Sequence, residues 1–164
     1  MTSDKAYDVE QRLNALVAAR RTFTASSPLT LSASYQTVPG LAAALDAAEY
    51  HVRAQILVNP TVSGGTPSYQ YNGSGGLALS HGRLTITELY AVSNVSADYA
   101  GDAALPAALT SVGSVGAGLL NRLVTFDGYL NVTTAGTLNI QAKLSSGSGS
   151  IVQYGSYLET GLLS

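Results

Sequence analysis

The sequence predicts a mostly β protein, an antiparallel sandwich or barrel of about eight short strands preceded by a short N-terminal helix. Three observations carry this. From Phe23 onward apolar and polar residues alternate with period two, and clusters of Gly, Ser, Asn and Pro interrupt the alternation at short intervals. No stretch of helical period stands between successive strands, as βαβ units would require.

The segment before Phe23 differs from everything after it. Residues 3–21, SDKAYDVEQRLNALVAARR, are dense in charge and in helix formers. Ser3 or Asp4 can cap a helix there, with Asp4, Asp8 and Glu10 near its positive end and Arg20 and Arg21 near its negative end. Ala6, Val9, Leu13 and Leu16 follow the three-four-three spacing of a coiled-coil seam. A lone amphipathic helix packed on its own domain or on a partner has the same pattern, and two heptads do not separate the readings. Either way a helix this short needs a partner surface. The expected organisation is therefore a docking or trimerisation arm over residues 1–22 and a β domain over residues 23–164.

Within the β domain the first strand is expected over Leu29–Thr37, ended by Pro39-Gly40. The second places Tyr50, Val52, Ala54, Ile56 and Val58 on one face and His51, Arg53 and Gln55 on the other, up to Asn59-Pro60. Alanine-rich Leu41–Asp46 between them reads as a helical turn or a short strand. Further strands are expected at Ser68–Tyr71, Leu77–Ser80, Arg83–Val92, Arg122–Val132, Thr137–Leu144 and Ile151–Leu158, parted by turns such as Gly73–Gly76 and Ser145–Ser150. Gly101–Leu120, small and apolar with Pro106 inside, reads as a long covered connection.

Composition narrows the function classes. Only 11% of the 164 residues are charged and 46% are hydrophobic, so the surface is built largely from uncharged polar residues and suits being covered by neighbours. A net charge of -2 offers no general attraction to nucleic acid or to a membrane surface. With no cysteine, disulfides and zinc-thiolate sites are excluded. The N-terminus lacks the basic and apolar regions of a secretion signal, so folding in a cytoplasm is expected.

No motif points to catalysis, a cofactor or a metal. His51 and His81 lack the spacing of a metal site and read as solvent-facing strand and turn residues. Ser114 in Val-Gly-Ser-Val-Gly has its glycines at the wrong spacing for a nucleophile elbow, and no Gly-Lys-Ser/Thr follows the glycine-rich turns. The tyrosine bias says more: ten Tyr stand against two Phe and no Trp. Tyr69, Tyr71, Tyr90 and Tyr99, near expected turns, can line a contact surface or close the ends of the sandwich.

Five segments resemble one family: Pro39-Gly40-Leu41, Glu49-Tyr50-His51-Val52-Arg53-Ala54, Phe126-Asp127-Gly128-Tyr129-Leu130, Thr134-Ala135-Gly136-Thr137-Leu138 and Gly155-Ser156-Tyr157-Leu158. Together they are similar to the jelly-roll domains of tailed-bacteriophage virion structural proteins, over Ser27 to Leu162. The tryptophans and the glutamine-alanine-rich strand of many such domains are missing, which leaves the subfamily open. The resemblance implies a jelly roll, a homotrimer, and a head decoration or head-fibre role on the virion, assembled in the host cytoplasm. Its partners would be the chain itself and the major capsid protein or another virion protein, with no nucleic acid or membrane. The alternative is a receptor- or carbohydrate-binding domain of a tail fibre or tail tip.

Overall fold

The computed structural model describes residues 20–59, 65–90, 93–101, 107–110, 122–146, 149, 151–153 and 155–163. Among them are twelve strands and no helix. In chain order they are β1 (Arg21–Thr24), β2 (Leu29–Thr30), β3 (Gln36–Leu45), β4 (Glu49–Asn59), β5 (Pro67–Ser74), β6 (Ala78–Tyr90), β7 (Ser93–Gly101), β8 (Ala107–Thr110), β9 (Arg122–Thr134), β10 (Gly136–Leu144), β11 (Ile151–Val152) and β12 (Tyr157–Leu162).

The strands form two antiparallel sheets. The larger runs β1-β12-β4-β9-β6-β7, with β11 bridging β2 to β4, and the smaller runs β3-β10-β5-β8. The first strand pairs with the twelfth, the second with the eleventh, the third with the tenth, and so inward to the β6–β7 hairpin. Successive pairs β3–β10, β4–β9, β5–β8 and β6–β7 alternate between the sheets. A long double ribbon wound around one core in this way is a jelly roll.

That core lies between the sheets. Leu41, Ala43, Leu138, Ile140, Tyr69 and Tyr71 from the smaller sheet meet Val52, Ala54, Ile56, Val124, Phe126 and Leu84 from the larger, all at most 1% exposed. The period-two alternation of β4 and β9 puts every second side chain into this layer.

Several boundaries differ from the sequence expectation. The seam residues Ala6, Val9, Leu13 and Leu16, and most of the arm, lie outside the described residues. Arg21, expected near the end of the helix, and Thr22, expected to end the arm, instead open β1: Phe23 pairs with Leu158 and packs against the core, and flanking threonines favour extended backbone. The strand expected over Leu29–Thr37 stops after Thr30, because the backbone at Leu31 and Ser32 bonds to Gly149 and Leu144 instead. Pro39-Gly40 does not end a strand. It forms a bulge inside β3, where Thr37 faces Gln141 and Ala42 faces Asn139, so that Val38 and Leu41 both enter the core. Gly40 makes the bulge at a φ of 87°, and a Cβ there would fall on the Thr24 carbonyl oxygen. The described parts of the expected strands Leu77–Ser80 and Arg83–Val92 join into the single strand Ala78–Tyr90, and the expected connection Gly101–Leu120 contains β8.

Candidate functional site

The four tyrosines expected at a contact surface divide. Tyr69 and Tyr71 are fully buried, which corrects that expectation: β5 is a central strand of the smaller sheet and its inward face closes the core. Tyr90 ends β6 and Tyr99 lies on β7 opposite Leu84, and their side chains are outside the description.

Tyr69 belongs to a buried polar group that the sequence did not announce. Its hydroxyl donates to Glu88 Oε1 at 3.1 Å, and Arg122 Nη1 donates to the same oxygen at 2.9 Å. The Glu88 and Arg122 side chains are 0% and 1% exposed. Burial, then the charge of Glu88, hold the Tyr69 phenol well above its ordinary pKa, so it remains a donor. Closed off from water, the triad joins β5, β6 and β9 rather than offering a reactive group.

Burial, and secondarily the charge of Asp127, also raises the Tyr71 phenol, which packs edge-on against Phe126 at 5.1 Å. Both phenols thus keep protons in the folded state that the unfolded chain releases near the ordinary value of 10.0. The stability this represents is whole below that pH and declines as pH rises above it, by about 1.4 kcal/mol per pH unit for each tyrosine. Tyr71→Phe should remove about half of this alkaline slope in urea unfolding between about pH 8 and 11. At neutral pH it should change stability by less than about 1 kcal/mol, because the Tyr71 hydroxyl has no hydrogen-bond partner among the described residues.

The outward face of the larger sheet is graded in rows set by register. At one end Leu57, Leu123 and Leu89 align across β4, β9 and β6, with Leu89 44% exposed. Next come Gln55, Thr125 and Thr87, joined from β12 by Tyr157. The third row alternates charge, with Glu159, Arg53, Asp127 and Thr85. The fourth is Gly161, His51, Tyr129 and Arg83. His51 Nε2 lies 3.0 Å from Asp127 Oδ1, and the His51 and Tyr129 rings are 5.0 Å apart. Arg20 reaches across to pair with Glu159. Because Gly161 carries no side chain, a recess of about 260 Å3 opens among Arg20, Arg53, Glu159 and His51.

His51 faces outward as its place in the β4 alternation predicts, and the signal for Tyr129 is its phase in β9, odd against the buried Phe126 and Leu130. Among the described residues no group of three His, Asp or Glu is arranged to hold a metal, and no helix is long and apolar enough to cross a membrane.

No family model matches the chain, and no curated protein matches it. Among solved structures, a chain from the structure of infectious bursal disease virus Gx strain is similar at 12% identity with a TM-score of 0.26, over 88% of this chain and 40% of that one. The present chain thus corresponds to less than half the length of that neighbour, and a likeness at this level carries no argument about function.

Proposed function

We propose that the chain is a non-enzymatic structural component of a tailed-phage virion, a head decoration or head-fibre protein that assembles as a homotrimer on the particle. The observation that carries this reading is the leucine row. Leu57, Leu123 and Leu89 form an apolar stripe on an outward sheet face, bordered by the uncharged row Gln55, Thr125 and Thr87. Such a stripe is stabilised by being covered, and a contact there needs no desolvated charge. A jelly roll with a filled apolar interior places its interactions on its faces and edges, and an 11% charged sequence supplies a surface suited to neighbours on several sides.

Light scattering on the purified chain should give three times the mass of one chain, and mass analysis of purified virions should find the protein in high copy. Leu89→Asp should weaken self-association or particle binding by roughly tenfold to a hundredfold, since one buried leucine contributes about 1.5–3 kcal/mol. Absence from purified particles would overturn the virion role. A monomer that still binds particles would overturn the trimer alone.

A further inference from the structure

The opposite end of the same sheet face has a different chemistry. Tyr129 is 56% exposed, in the interior of the larger sheet rather than at a rim. On β4 it is flanked by His51 and on β6 by Arg83, while Asp127 and Asn131 stand to either side along its own strand. Every one of these neighbours is a planar polar group. Two of them are held in place: His51 by Asp127, and Asn131, whose Nδ2 donates to Glu49 Oε1 at 3.1 Å. Beside them lies the recess above Gly161.

We propose that this patch is a carbohydrate-binding platform for a neutral hexopyranose at the end or within a glycan chain. A pyranose presents one face of C–H groups ringed by hydroxyls, and the patch presents its complement, a single aromatic ring surrounded by fixed donors and acceptors. The sugar's C–H face lies on Tyr129. The Asp127 carboxylate and Asn131 amide accept from its hydroxyls, and Arg83 donates to them. The neighbouring unit enters the recess, whose volume is just under the roughly 300–1,000 Å3 of small-molecule pockets.

Charge favours an uncharged ligand, because Arg53, Arg83 and Arg20 are interleaved with Asp127, Glu159 and Glu49. A protein partner fits less well. Protein contacts are built around a contiguous apolar core, whereas among the described residues the other exposed large apolar side chains do not adjoin Tyr129: Leu89 is three rows away, about 20 Å along the strand, and Leu163 lines the recess just past β12, two strands from β9. Preorganisation of His51 and Asn131 lowers the entropy cost of fixing side chains on binding. The platform goes beyond the assembly role and does not depend on it, since the leucine row and Tyr129 occupy different ends of the face.

The test is saturation-transfer difference NMR on the full chain, with the methyl glycosides of glucose, galactose and mannose and their N-acetylamino counterparts at millimolar concentration. At least one glycoside should receive transfer, strongest at ring protons of one face. Tyr129→Ala should weaken that binding at least about tenfold, Tyr129→Phe should retain it, and Asp127→Ala should weaken it with unchanged circular dichroism. Leu89→Asp should leave it intact. Absence of transfer from every glycoside, or equal transfer in Tyr129→Ala, would overturn the proposal. A loss of oligomer mass in Tyr129→Ala without transfer in the parent chain would also overturn it and make the patch a protein contact.

Discussion

Glu88→Ala should lower the folding free energy by about 3–5 kcal/mol, a substantial part of the total for a domain of this size. The carboxylate it removes is fully buried and accepts from both Tyr69 and Arg122. What remains is a guanidinium at 1% exposure that has lost the Glu88 carboxylate and a phenol without its acceptor. Removing one partner of a buried pair costs far more than the pair contributes, because desolvation of the remaining charge is no longer offset. The double replacement Glu88→Leu with Arg122→Met, which takes both charges out of the core, should recover most of the loss. Urea unfolding of the three proteins measures this. A Glu88→Ala loss below about 1 kcal/mol would show that water or another group compensates the Arg122 charge.

Gly40→Ala should cost about 2–5 kcal/mol in the same assay. The backbone there has a φ of 87°, a conformation in which a Cβ is strained. The added carbon would also meet the Thr24 carbonyl oxygen and lie 2.8 Å from the Ser26 amide nitrogen. Those atoms belong to the crossing of β1 over β3, which is tied by the Ser26 amide donating to the Pro39 carbonyl, so neither side can retreat freely. Gly76 provides the control. Its φ is 85°, but a Cβ there would meet nothing within 4 Å, so Gly76→Ala should show the conformational cost alone, about 1–2 kcal/mol.

The contrast between these glycines shows where sequence reasoning succeeded and where it stopped. Strands β4, β9 and β10 were legible because strict alternation across Val52 to Val58, Val124 to Val132 and Leu138 to Leu144 has one physical reading. Pro39-Gly40 has two: the dipeptide that ends a strand also makes a bulge, and only the partner strand decides between them. The strand expected over Arg83–Val92 lies within β6 as far as Tyr90, yet Glu88 sits in its buried phase, and local pattern gives no warning that a charge will find Arg122 across the sheet. The tyrosines of β5 were misplaced for a related reason. Pro67–Ser74 has no clean alternation, with Ser68, Tyr69, Gln70 and Tyr71 all buried, so the inward phase could not be assigned without the pairing to β10 and β8.

The nested pairing also sets an order on the closing of the fold. Partners in the β6–β7 pair are close in sequence, down to Tyr90 opposite Ser93, whereas Arg21 must find Thr160 across nearly the whole described chain. The entropy of loop closure rises with each pair outward, but each inner pair brings the next two strands together and shortens the effective loop that they must close. The roll is therefore best assembled as a zipper from β6–β7 toward β1–β12, and dominated by distant partners it belongs among slow-folding topologies. Opening takes the same path in reverse: the short edge strand β1, with three of its four residues exposed, is the first to leave and the last to return.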